Sequence, residues 1–168
     1  MMNKDKIKIE ISLKSFKKVN VIQTSISLND ELISLGYHDY EAFIYNDKDN
    51  RSWFYKEKNI DESMDDKLWS EFYPFSCSCG VAGCNGIWEG IKSKHRKKSV
   101  EWRVPVKLGY EGKLKSFYSF DKNLYENEIK NIFKQLKSFD QSATILDFSN
   151  DEILLKNLIK ELEKDYYG

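Results

Sequence analysis

Ile7, Ile9, Ile11 and Leu13 alternate with Lys6, Lys8, Glu10 and Ser12, the period of two that buries one face of a strand and wets the other. Past a basic break at Lys17 and Lys18, Ile22, Thr24, Ile26 and Leu28 repeat the alternation. The two runs are therefore expected to pair as antiparallel neighbours. Leu32, Ile33 and Leu35 read as one added helical turn. Tyr40, Ala42 and Ile44 make a third strand, closed by the turn-forming run 46–50 and answered by a returning strand at Trp53, Phe54 and Tyr55. From Glu57 to Phe75 no period holds, which predicts a long excursion from the sheet, the kind of segment that often carries function.

Val100, Trp102, Val104, Val106 and Leu108 alternate with Glu101, Arg103, Pro105 and Lys107. Pro105 has no N–H for a ladder, so this strand is expected at an edge. Segments Gly86 to Lys94 and Lys113 to Phe120 complete a meander, with Gly109 to Gly112 as its second turn. The period then changes. After Asp121, a helix cap, Tyr125, Ile129, Ile132, Phe133 and Leu136 fall at helical spacing. Ala143 to Phe148 is a short strand. Ser149, Asn150, Asp151 and Glu152 form a capping-box pattern before the apolar stripe of Leu155, Leu158, Ile159, Leu162 and Tyr166. The expected fold is a single α+β domain over residues 1–168, mainly antiparallel, with N-terminal hairpins, a central meander and two C-terminal amphipathic helices.

Composition narrows the function. A chain of 168 residues can bury one real core, and 27 basic against 27 acidic side chains give a formal net charge of zero. A globally basic nucleic-acid binder is thereby disfavoured. The opening residues Met1 to Lys8 interleave charges with isoleucines, and no stretch approaches the roughly 20 apolar residues of a membrane span, so a cytoplasmic protein is expected. No paired carboxylates, phosphate-cradling glycine loop or Gly-x-Ser-x-Gly motif can be assembled, and the chain is read as a binder rather than an enzyme.

Cys77, Cys79 and Cys84 converge within a glycine-rich turn. Thiolates suit zinc, and His95 in the following strand is a candidate fourth ligand of a structural Cys3His site. Alternatively the three cysteines are small apolar residues packed in a tight turn. A third reading takes Cys84 or Cys79 as a nucleophile with His38 or His95 as base, making a small cysteine enzyme. Lys92 to Lys98 is a basic run at a hairpin tip, read either as a solvated edge or as a phosphate contact; with the cysteines it defines a zinc-binding nucleic-acid module. Asp61, Glu62, Asp65 and Asp66 lie close to Trp69, Phe72, Tyr73 and Phe75. Carboxylates steer a cationic partner and a tryptophan anchors it, so Asp61, Glu62, Asp65, Asp66 and Trp69 are the candidate partner-binding residues; the same residues also suit a capped short helix with a buried aromatic side.

The run Cys77-Ser78-Cys79-Gly80-Val81-Ala82-Gly83-Cys84, followed by a strand containing Trp102, resembles immunity proteins of bacterial polymorphic toxin and contact-dependent growth inhibition systems. The likeness covers the middle third of the chain and transfers no functional residue. It implies a small cytoplasmic domain that binds and blocks the toxic domain of a neighbouring cell's effector; the acids Asp61, Glu62, Asp65 and Asp66 would suit a basic active-site cleft such as a nuclease's.

Overall fold

The computed structural model describes residues 4–16, 19–35, 69–72, 90–105, 110–111, 114–146 and 151–168. Strands β1 (Ile7–Phe16) and β2 (Val19–Leu28) pair antiparallel over their whole length, with Ile9 opposite Ile26 and Ile11 opposite Thr24. Ile9, Ile11, Ile22, Ile26 and Leu28 are buried while Lys8, Glu10, Ser12 and Ser25 are exposed, as the alternation requires. Asn29 and Asp30 then take φ of 52° and 68°, the left-handed conformation that a two-residue hairpin turn demands and that Asn and Asp tolerate.

That turn corrects the expected helical turn at Leu32, Ile33 and Leu35. The chain doubles back as β3 (Glu31–Leu32) along β2, Ile33 N–H donates to Ile26 O at 2.8 Å, and β4 (Ser34–Leu35) continues extended to pair with β8 (Tyr110–Glu111). Three apolar residues are too few to tell a helical from an extended period. The strands expected at Tyr40 to Ile44 and Trp53 to Tyr55 lie outside the described residues, as does most of the excursion. Within it, Ser70–Phe72 form a strand, β5.

The central meander is present as a four-stranded antiparallel sheet in the order β5, β6 (Ile91–His95), β7 (Ser99–Arg103), β9 (Phe117–Asp121). β7 is an inner strand with a neighbour on each side, not the expected edge. The strand ends at Arg103, so the missing N–H of Pro105 falls beyond the ladder. The larger, five-stranded sheet, which holds β1, β2 and β3, sets β10 (Thr144–Leu146) parallel against β2 and antiparallel against β11 (Glu152–Leu154).

Helix α1 (Lys122–Ser138) packs on both sheets. Asp121 caps it, Oδ1 accepting from Asn123 N at 2.9 Å and Leu124 N at 3.1 Å. Tyr125, Ile129, Ile132, Phe133 and Leu136 are buried, matching the expected stripe. Tyr125 joins an aromatic cluster in which Trp102, fully buried, meets Phe72 and Phe120 at 5.2 Å and Tyr125 at 5.9 Å, all edge-on. Helix α2 (Leu155–Tyr167) packs on α1, and Lys137 pairs with Glu163 across them. The expected capping box is not used: Glu152 lies in β11, and Leu154 stands at the cap position with no side-chain bond. Carbonyls do that work instead, Ala143 O accepting from Leu155 N at 2.9 Å and Gln141 O from Lys156 N at 3.3 Å. The fold is α+β, and among the described residues no helix is long and apolar enough to cross a membrane.

Asp5 ties the two sheets together. Its backbone bridges to Phe120, Oδ1 accepts from Lys115 Nζ at 2.8 Å and Asn29 Nδ2 at 2.7 Å, and Oδ2 accepts from Ser119 N at 2.8 Å. Burial pushes the carboxyl up, but the hydrogen bonds from Lys115, Asn29 and Ser119 together outweigh it and hold Asp5 below the ordinary 3.8. A lowered folded value means that the stabilisation is present above pH 3.8 and is lost as pH falls through the folded value. Urea melts of wild type and Asp5→Asn should therefore differ most near neutrality and converge in strong acid; a constant gap down to pH 2 would show that the Asp5 charge is not the linkage.

Candidate functional site

The four-stranded sheet has one face against α1. On that side lie Phe72, Ile91, Ser93, His95, Val100, Trp102, Tyr118 and Phe120, all buried. The opposite face is built by the alternate positions. Register sets Lys92 opposite both Glu71 and Arg103, Arg103 opposite Phe117, and Lys94 opposite Glu101.

Trp69, just before β5, lies over this outer face, with the Arg103 guanidinium 4.2 Å and the Lys94 ammonium 5.9 Å from its ring centroid. A cation over an indole face contributes about 0.5–2 kcal/mol and fixes the orientation of the ring. Lys94 itself is buried. Lys92, Arg103 and Phe117 are exposed, and with Gly90, Val104, Pro105 and Ser116 they line a cleft of about 340 Å³. Glycine is required at its edge, because a Cβ on Gly90 would stand 2.6 Å from Phe72 O.

The acids of this face are already engaged. Glu71 Oε1 accepts from Gly90 N at 2.9 Å, and Glu101 Oε1 accepts from Arg96 Nε at 2.8 Å. Lys92 and Arg103 thus have no carboxylate partner among the described residues. Two cations set directly opposite each other across a ladder repel.

Of the residues singled out in the sequence, Trp69 and His95 are described, and the sheet separates them. Trp69 is on the outer face; His95 is buried on the helix side, its ring edge-on to Tyr125 at 5.8 Å. Asp61, Glu62, Asp65, Asp66, Cys77, Cys79 and Cys84 lie outside the described residues, so neither the acidic segment nor the Cys3His set is assembled among them. The basic run does form the β6–β7 hairpin, with Arg96, Lys97 and Lys98 exposed at its tip and Arg96 N–H donating to Ser99 O at 2.7 Å. Arg103 and Phe117 were missed as site residues. Alternation alone places Arg103 on the outer face, but its meeting with Lys92 and Phe117 depends on the registers of two ladders. Comparison of the chain with protein-family models, with curated proteins and with solved structures gave no match.

Proposed function

We propose that this chain is a toxin-neutralising immunity protein that binds a cognate toxin domain, nuclease-like in its basic cleft, and occludes its active site without performing chemistry of its own. The observation that carries the reading is Trp69, oriented by the Arg103 guanidinium on the sheet face away from α1. An aromatic whose rotamer is already fixed loses little freedom on binding, which makes it a good interface anchor. The acids Asp61, Glu62, Asp65 and Asp66, which precede it in the chain, supply the steering charge for a basic partner. The resemblance of the Cys77 to Cys84 segment to immunity proteins supports the same role.

The test is affinity capture with the tagged full chain from lysate of its source cells, followed by expression of the captured protein with and without this chain. One protein carrying a toxic domain is expected, recovered stoichiometrically, with its growth inhibition relieved by co-expression. Trp69→Ala should weaken the complex by about 2 kcal/mol, about 30-fold in Kd. A captured protein that is harmless to cells, or binding indifferent to Trp69→Ala, would sink the proposal.

A further inference from the structure

We infer that the cleft between Lys92, Arg103 and Phe117 receives an acidic segment of a protein partner, a carboxylate followed or preceded by a large apolar side chain; the inference rests on the protein-binding role proposed above. Three features select that occupant. The first is charge with no ion-pair partner among the described residues: Lys92 and Arg103 stand opposite each other in the β6–β7 ladder, while the neighbouring acids each spend an oxygen elsewhere, Glu71 on Gly90 N–H and Glu101 on Arg96. A carboxylate placed between the two cations would relieve their repulsion and accept charge-assisted hydrogen bonds from both.

The second feature is the wall. Phe117, the first residue of the outermost strand β9, keeps 45% of its surface exposed, and Val104 and Pro105 continue the apolar side of the cleft. An apolar group beside the carboxylate would cover that surface, as interface anchors do.

The third is the limited reach of the positive charge. Glu71 and Glu101 flank the two cations on the same face, so a polyanion running across it would meet carboxylates on either side. Nucleic-acid surfaces instead carry a basic track that follows successive phosphates. The positive patch suits one or two carboxylates better than a phosphate chain.

The probe is a blocked tetrapeptide containing phenylalanine next to aspartate, titrated to millimolar concentration into the isotope-labelled full chain and followed by amide chemical shifts. Saturable shifts are expected at Lys92, Arg103, Ser116 and Phe117, with affinity at least about tenfold weaker for the peptide carrying asparagine in place of aspartate. The Lys92→Gln variant, which leaves the Arg103–Trp69 contact in place, should lose a similar factor, and because Lys92 is exposed its unfolding midpoint should stay near that of wild type. Phe117→Ala should weaken the peptide without abolishing its charge dependence. Equal binding of the asparagine peptide, absence of saturable shifts, or tighter binding of a short oligothymidylate at the same amides would each overturn the inference. Undiminished capture of the natural partner by Lys92→Gln would overturn it too, while leaving the protein-binding role intact.

Discussion

Trp102→Ala should lower the free energy of unfolding by about 3–5 kcal/mol, the usual cost of removing a large aromatic from a packed core. Trp102 is fully buried on an inner strand and meets rings on three other elements: Phe72 on β5, Phe120 on β9 and Tyr125 on α1. Each contact is edge-on, so truncation forfeits oriented aromatic pairs as well as buried area. The strands on either side hold the void open, because their ladders limit how far the walls can move inward. A domain of ordinary stability has about 5–15 kcal/mol in total, which leaves the variant near the threshold of folding. Urea denaturation would report the loss as a lower midpoint at unchanged slope. Trp102→Phe, which retains one ring, should lose clearly less. A loss below about 1 kcal/mol for the alanine variant would mean that Trp102 does not join the two layers as described.

The second large effect is expected from Glu128→Ala combined with Gln135→Ala. β1 pairs with β2 along one edge, and its other edge is covered by these two side chains of α1. Glu128 Oε1 accepts from Ile9 N at 2.7 Å, Gln135 Oε1 accepts from Ile11 N at 2.8 Å, and Gln135 Nε2 donates to Ile9 O at 2.9 Å. Ile9 and Ile11 are buried, so water would replace these partners poorly once they are gone. With a cost of about 1–3 kcal/mol for each stranded buried group, and some relaxation of the helix, the double variant should lose about 2–5 kcal/mol. It should also associate in a concentration-dependent way, since an uncovered edge is a template for another strand. Sedimentation alongside chemical denaturation tests both parts. A variant that stays monomeric with wild-type stability would show that the edge needs no cover.

The elements that could be read from the sequence are those whose own pattern decides their fate. β1 and β2 carry a two-residue period long enough to exclude a helix, and α1 carries both a stripe and an N-cap at Asp121. Where the deciding partner is distant, the reading failed. Leu32 to Leu35 is a different case: the Asn29–Asp30 turn that decides it is local, but three apolar residues are too few to tell a helical from an extended period. The first turn of α2 is satisfied by Ala143 and Gln141 rather than by the local capping pattern. Pro105 was read as an edge marker because the end of β7 at Arg103 depends on where its neighbours stop pairing. The same limit applies to the site. Trp69 is legible as a large aromatic near acids, whereas its stacking on Arg103 and the pairing of Lys92 with Arg103 arise only when three strands fall into register. Glu128 and Gln135 look like ordinary polar positions of an amphipathic helix, and nothing local marks them as partners of a strand more than a hundred residues earlier.

That separation also orders events during synthesis. The β1–β2 hairpin emerges early and can pair by itself, but the groups that cover its edge lie 119 to 126 residues further along the chain, and Asp5 waits for a backbone N–H 114 residues away. Until the ribosome has delivered α1, the nascent hairpin presents both an apolar face and a bare strand edge. High contact order of this kind slows closure and lengthens exposure to neighbouring chains. The hairpin is thus made well before its cover, and in the interval its bare edge is open to pairing with another chain.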